Sequence, residues 1–378
     1  MTKTALILSG GGARGAYQVG VLKALASAVP KGTMPFSVIS GVSVGALAAV
    51  MLGSAPHDFR EGVARLESVW RQLHSDDVFV TDNSLVRGRI FEWMRAALPG
   101  IGKATAPASL LDNSPLWDLV RRHADFDTIN EIGAGEGGLD ALAVTASSYR
   151  SGRAVTFFAG RPSYADWSRA RRMGVRTRFG PEHVLASAAL PLIFPSVAVG
   201  ERYFGDGALR NSFPLSPAIR LGADRLVVIG ARDKKTDAEE GAMTEPSVGY
   251  LAGQMLDILF NDNLEADVEI AERFNRSYRS LPAHRKAQSS IRPIDILPID
   301  PSIDIRPIAG DFLHEMPGSA RLMLRTIGGL KAPYILPSYL LFEPGYIQTL
   351  MDLGEADGYR ALNKELLLGE VACPASQI

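Results

Sequence analysis

The run Thr4-Ala5-Leu6-Ile7-Leu8-Ser9-Gly10-Gly11-Gly12-Ala13-Arg14-Gly15, followed by Phe36-Ser37-Val38-Ile39-Ser40-Gly41-Val42-Ser43-Val44-Gly45, decides how this chain is read. Residues 4–9 are a short apolar run ending in three glycines, and residues 15–29 carry small and apolar side chains without a breaker until Pro30. That is the pattern of strand, glycine loop and helix. Residues 36–40 form a second apolar run and residues 44–52 an alanine-rich helix, with only Gly41-Val42-Ser43 between them. A helix enclosed by two such strands over about 35 residues is a βαβ unit. A parallel sheet with right-handed crossovers is therefore expected.

Working outward, residues 59–130 turn helical and more polar and read as an insertion or cap, with a Pro/Gly/Ala/Ser-rich loop at 99–109. Strand character returns at 139–146 and 154–158, and a hairpin is expected over 197–204 with its turn at Val199-Gly200-Glu201-Arg202. Leu226-Val227-Val228-Ile229 is β-branched and reads as another central strand. Residues 234–246 read as a polar loop, 247–276 as helix, 291–299 as a strand broken by prolines and 344–367 as helix; no internal repeat is visible.

The chain has 378 residues, enough for two domains or for one large α/β domain with a long extension. Apolar residues make up 46%, as expected of a soluble globular protein. Forty Lys and Arg against 41 Asp and Glu leave a formal charge of -1, so no global basic field draws the chain to nucleic acid. The single cysteine, Cys373, excludes an internal disulfide framework and any cysteine metal cluster. Lys3 is followed by too short an apolar run for a secretory signal, and the longest apolar stretch, residues 42–52, is far shorter than a membrane span. A cytoplasmic protein is expected, with surface association to the inner face of a membrane left open.

Gly10, Gly12 and Gly15 satisfy G-x-G-x-x-G between a strand and a helix, the context of a dinucleotide-binding loop. That reading requires an acid about 20 residues further on for the ribose. The first acidic residue of the chain is Asp58, and the second strand ends in Ile39-Ser40. The alternative use of the loop is to aim backbone N–H groups, at the positive end of a helix, toward developing negative charge. Arg14 adds a cation in the same turn, and the formal charge of residues 1–57 comes from Lys3, Arg14, Lys23 and Lys31 alone. An anion-favouring catalytic corner is the expectation.

Gly41-Val42-Ser43-Val44-Gly45 matches G-x-S-x-G between a strand and a helix, the context of a nucleophile elbow. A serine nucleophile needs a base. In the chain order Ser, acid, His, the candidates among six histidines are His284 and His314, neither in a recognisable motif.

Three segments together resemble the patatin-like phospholipase family: Gly10-Gly11-Gly12-Ala13-Arg14-Gly15, Gly41-Val42-Ser43-Val44-Gly45 and Asp206-Gly207-Ala208. The stretch Ala186-Ser187-Ala188-Ala189-Leu190-Pro191-Leu192-Ile193-Phe194-Pro195 is similar to the family segment that precedes the aspartate motif. The resemblance covers residues 4–220, is closest to bacterial members, and implies a three-layer α/β/α fold with a mostly parallel sheet. Residues 221–378 would be a C-terminal extension continuing the sheet and adding helices. It further implies a dyad of Ser43 as nucleophile and Asp206 as base. Gly10, Gly11 and Gly12 would supply the oxyanion hole, Arg14 would hold or polarise that loop, and Gly15, Gly41, Gly45, Gly207 and Ala208 would support the motifs. No metal or cofactor is implied.

The function so implied is hydrolysis of carboxylic esters in phospholipids or related lipids through an acyl-enzyme. An acyltransferase or thioesterase using the same serine, and a non-catalytic lipid-binding module with the same fold, are the rivals. Arg169, Arg171, Arg172, Arg176 and Arg178 either grip lipid phosphate or form a solvated face. Tyr339-Leu340-Leu341-Phe342, near Tyr334 and Tyr346, either anchors at an interface or packs in the core.

Overall fold

Strand β1 (Thr4–Leu8) is buried along its whole length, and so is β2 (Val38–Val42) except at its last residue. Their side chains alternate between two cores: Leu6, Leu8 and Ile39 enter one, and Ala5, Ile7 and Val38 the other. Burial on both faces is why these strands are continuously apolar. The computed structural model describes residues 2–82, 88, 109–135, 138–232, 245–288 and 292–363.

The remaining strands are β3 (Ala141–Ser148), β4 (Ala154–Gly160), β5 (Trp167–Arg169), β6 (Arg172–Arg176), β7 (Val197–Val199), β8 (Arg202–Gly205), β9 (Arg225–Ile229) and β10 (Asp295–Ile299). The order is β10-β9-β1-β2-β3-β4-β6-β5, with β8 pairing β3 and β7 pairing β8. From β10 to β3 every neighbour is parallel, whereas β3 meets β4 and β8 antiparallel. The chain runs β1, β2, β3 to one side and returns to place β9 on the other side of β1. The carboxyl end of β1 therefore lies at a reversal of strand order, where open α/β sheets place their sites.

Helices α1 (Gly15–Ser27), α2 (Val44–Gly53) and α3 (Phe59–Arg71) cover one face, together with the long helix Pro344–Asn363. The helices Ser216–Arg220 and Asn263–Arg279 cover the other through residues such as Ala218, Leu264 and Val268. Three layers result. The apolar side of α3, with Phe59, Val63, Leu66 and Trp70, is buried in the α1/α2 face, so this first helix of the 59–130 region belongs to the layer that covers the sheet. The expected loops at 99–109 and 234–246, the tail of the 344–367 helix beyond Asn363, and Cys373 lie wholly or mostly outside the described residues.

The Pro344–Asn363 helix runs against α1 with almost no space between backbones. A Cβ on Gly20 would strike the Met351 carbonyl, and one on Gly354 the Tyr17 carbonyl. A buried and a half-buried side chain fasten the pair, Tyr17 donating from its hydroxyl to Asp357 at 3.2 Å and Lys23 pairing with Glu355 at 2.7 Å. Gly354→Val is expected to cost about 2 kcal/mol or more, because it forces two backbones apart. Equilibrium urea unfolding against wild type measures this.

Candidate active site

The G-x-S-x-G spacing is steric in origin. Gly41 and Gly45 face one another, so that a Cβ on Gly41 would enter the Gly45 carbonyl, and one on Gly45 would enter the carbonyl of Leu8 on β1. Between them Ser43 is held at φ 56° and ψ −124°. This is a left-handed conformation that a non-glycine residue adopts only when its surroundings impose it. Helix α2 begins at the next residue, with the Ala46 N–H donating to the Ser43 carbonyl at 2.9 Å.

Ser187 supplies much of that imposition. Its hydroxyl donates to the Thr145 carbonyl on β3 at 2.6 Å and accepts the Ser43 N–H at 2.9 Å. Two residues on, the Ala189 carbonyl accepts the Asp206 N–H at 2.8 Å. One short segment thus ties both the elbow and the aspartate to the sheet. The register makes the two neighbours: Val42 is opposite Thr145 across β2/β3, and Ser147 is opposite Gly205 across β3/β8. Gly207 is pressed against the Thr145 carbonyl, and its own carbonyl accepts from Ser147 Oγ at 3.1 Å.

Asp206 is fully buried. Its Oδ1 accepts the Ala208 N–H at 2.9 Å, while Oδ2 has no hydrogen-bond partner among the described residues. Burial pushes the carboxyl up to about 7; the nearby Ser43 side chain and the Ala208 amide pull it back only in part. A carboxylate so placed has the basicity for proton transfer near neutrality that an ordinary one lacks. No histidine is hydrogen-bonded to Ser43 or Asp206 among the described residues, and His284 and His314 are exposed.

The glycine loop closes over the same point. A Cβ at Gly10 would meet the Phe260 ring and stand 3.2 Å from Ser43 Cβ. Gly12, at φ 54°, has the Tyr339 carbonyl where a side chain would go, and Gly15 has Val44 and Trp70. No hydrogen bond within the described residues takes up the N–H groups of Gly10, Gly11 or Gly12. They are available donors beside the serine.

Arg14 departs from the expectation of an anion-attracting cation. Its guanidinium is buried and turned to the C-terminal third of the chain, where Nη1 pairs with Asp257 at 2.9 Å. Nε and Nη2 donate to Ser338 Oγ at 3.0 and 2.8 Å, and the plane lies 3.8 Å from the Tyr339 ring centre. Tyr339 in turn donates to Asp257 at 2.6 Å. Of the other cations of residues 1–57, Lys3 pairs with Asp140 and Lys23 with Glu67 and Glu355, whereas Lys31 is exposed on the surface. What favours an anion at this corner is thus the set of loop amides, with Arg14 neutralised behind them.

Neither of the other expected binding elements is an exposed surface beside the serine. Residues 339–342 are core, with Tyr339 against the glycine loop and Phe342 in the wall of the cavity beside Ser43. The arginine-rich segment is the β5–β6 edge hairpin, three strands from β2, with Arg176 donating to the carbonyls of Gly160, Arg161 and Tyr164 and Arg172 lying over Phe213. Sequence reasoning missed Ser187, Asp257, Phe260 and Ser338 as site-forming residues. Only Ser187 carried a signal, since it sits in the quoted 186–195 stretch.

Beside Ser43 opens an apolar cavity of about 60 Å³, walled by residues such as Leu47, Met51, Trp70, Leu119, Phe194 and Phe342. A strained serine at a helix N-terminus, on the carboxyl edge of a doubly covered parallel sheet, is the arrangement of the α/β serine hydrolases. Residues 6–219 match the model of the patatin-like phospholipase family. The chain belongs to that family, and with it to the lipid hydrolases. Solved structures similar to it include VipD from Legionella pneumophila, at 12% identity and TM-score 0.36 over 96% of this chain and 67% of that one. Human GIVD cytosolic phospholipase A2 in complex with methyl gamma-linolenyl fluorophosphonate matches at 13% identity and TM-score 0.37, over 97% of this chain and 58% of that one. No curated protein matches. Among the described residues no helix is long and apolar enough to cross a membrane.

Two stability tests follow from these electrostatics. Because burial raises Asp206, its contribution is fully present below its unfolded value near 4 and is lost as pH rises through about 7. Asp206→Asn is expected to melt higher than wild type at pH 8, on the order of 5 °C, with the gap closing toward pH 4. Asp257→Ala, which strands the Arg14 charge, is expected to lose about 3 kcal/mol or more, read by denaturant unfolding at pH 8.

Proposed function

We propose that this protein is a serine acyl hydrolase that cleaves carboxylic ester bonds of phospholipids or related lipids through an acyl-enzyme. Ser43 Oγ attacks the ester carbonyl as its proton passes to Asp206, and the carbonyl oxygen becomes an oxyanion facing the amides of Gly10, Gly11 and Gly12. Collapse breaks the ester bond, and the proton held by Asp206 goes to the departing alkoxide. Water then gives its proton to the same carboxylate and attacks the acyl-serine, and as the acyl–Oγ bond breaks Asp206 returns that proton to Ser43 Oγ, releasing the fatty acid with the hydroxyl restored.

The observation that carries the proposal is the fully buried Asp206, set beside a serine in strained backbone, with one carboxyl oxygen lacking a hydrogen-bond partner among the described residues; burial pushes this carboxyl up to about 7. A carboxyl meant only to support a turn would be satisfied by it. Here burial leaves it costly to the fold and useful as a base. The apolar cavity at Ser43 suits an acyl chain better than a polar group. Its small volume favours short or medium chains unless its walls part. Peripheral contact with a membrane belongs to this reading, since the substrate resides there.

Ser43→Ala and Asp206→Asn are each expected to lower kcat on a soluble p-nitrophenyl ester by about a thousandfold or more, with folding retained by circular dichroism. A fluorophosphonate should label wild type and not Ser43→Ala. In wild type, kcat/KM should climb with pH and level off above about 7, as Asp206 ionises. Retained activity in Asp206→Asn, or loss in His284→Ala or His314→Ala, would replace the dyad with a triad. Acyl transfer from acyl-CoA without release of fatty acid from phospholipid would favour the acyltransferase.

A further inference from the structure

The helix Val248–Asp257 continues without a break through the π-helical turn Ile258–Asp262 into Asn263–Arg279. Its buried side, with Gly249, Gly253 and Leu256, packs on residues 327–336. There the Gly249 N–H donates to the Ile327 carbonyl at 2.7 Å, and Ser247 caps the helix while donating to Gly328. The opposite side is Val248, Leu251, Met255 and Ile258, which are 69%, 51%, 64% and 53% exposed. The spacing of three, four and three residues puts all four on one stripe. An isolated exposed leucine is ordinary, whereas four large apolar side chains in line are not.

Two further observations say what the stripe faces. First, the strand of chain it packs beside is flanked by exposed cations. Arg321 and Arg325 lie on the helix Gly318–Thr326, with exposed Leu322 between them, and Lys331 follows the 327–329 contact. None of the three forms an ion pair with a described residue. Within the described residues 245–258 the only acids are Glu245 and the buried Asp257, which is already engaged by Arg14. Second, the stripe ends at Ile258, and two residues later the π turn presents Phe260 inward against Gly10 of the glycine loop. The apolar stripe and the reacting centre are thus joined by one turn of helix.

We infer that this stripe, with Leu322 and the cations Arg321, Arg325 and Lys331, is the surface by which the protein docks on an anionic lipid bilayer. Apolar side chains enter the acyl boundary while the guanidinium and ammonium groups stay at the level of the phosphates. The choice of a lipid surface as occupant rests on the proposed lipid hydrolase activity and on the pairing of unpartnered cations with an apolar face. Docking here brings the turn that carries Phe260, packed on Gly10 beside Ser43, next to the membrane.

The test is vesicle flotation with the full chain carrying Ser43→Ala, so that binding is read without turnover and fails or succeeds independently of the catalytic reading. Vesicles of phosphatidylcholine with phosphatidylglycerol are compared with phosphatidylcholine alone. Binding is expected to the anionic vesicles and to weaken with added salt. Leu251→Gln/Met255→Gln, both exposed and outside the catalytic machinery, should weaken it by about tenfold or more. Arg321→Gln/Arg325→Gln should weaken it by about fivefold per charge on anionic vesicles only. With Ser43 left intact, the Leu251/Met255 variant should keep wild-type rates on a soluble ester and lose rate on vesicles in proportion to binding. Unchanged vesicle binding by both variants overturns the inference. So does a concentration-dependent dimer that the Leu251/Met255 variant dissociates while vesicle binding is unaffected, because the stripe is then the seat of a second copy.

Discussion

The guanidinium of Arg14, buried between Asp257, Ser338 and the Tyr339 ring, is the contact on which the rest of the site depends. A charged group out of water is tolerated only when paired and fully hydrogen-bonded. Arg14 is so satisfied only when residues 257 and 338–339 have come to it. The glycine loop has too little side chain to hold its own shape, and Gly12 is positioned by contact with the Tyr339 carbonyl itself. The geometry of the amides beside Ser43 is consequently a property of the C-terminal third as much as of the motif.

This explains which parts of the site were legible in the sequence and which were not. The βαβ unit could be read because β1, β2 and their helices are buried on all sides, so burial leaves an unbroken apolar record. The elbow could be read because its glycines answer to sterics within five residues and to the end of β1. Arg14 was misread as a field source for a different reason. Its partners lie 243 and 324 positions away, and neither Asp257 nor Ser338 stands in a pattern that marks it. Local periodicity reports burial, but it does not report which charge meets which.

Asp206 lies between these cases. Asp-Gly alone is turn chemistry, and indeed the carboxylate caps the short helical turn at Gly207–Leu209. What distinguishes it is the cover supplied by the 186–195 segment and by β3, which buries Oδ2 with no hydrogen-bond partner fully formed among the described residues. An oxygen left in that state destabilises the charged form in the fold. The functional property is an absence of solvation, and that is set by tertiary packing alone.

The same cover imposes a condition on how the site can open. Burial raises the Asp206 pKa, keeps Ser43 only 6% exposed and narrows the cavity to about 60 Å³. Flooding the cleft with water to admit a lipid would resolvate the carboxylate and lower its basicity toward that of an ordinary aspartate. The space must therefore be refilled, as it widens, by something that does not hydrate Asp206. An acyl chain meets that requirement, because each methylene that parts Leu47, Met51 and Phe342 also excludes the water that would have entered. Under the proposed mechanism, selectivity for apolar acyl groups and retention of a competent base then have one physical origin, the dry surroundings of Ser43 and Asp206.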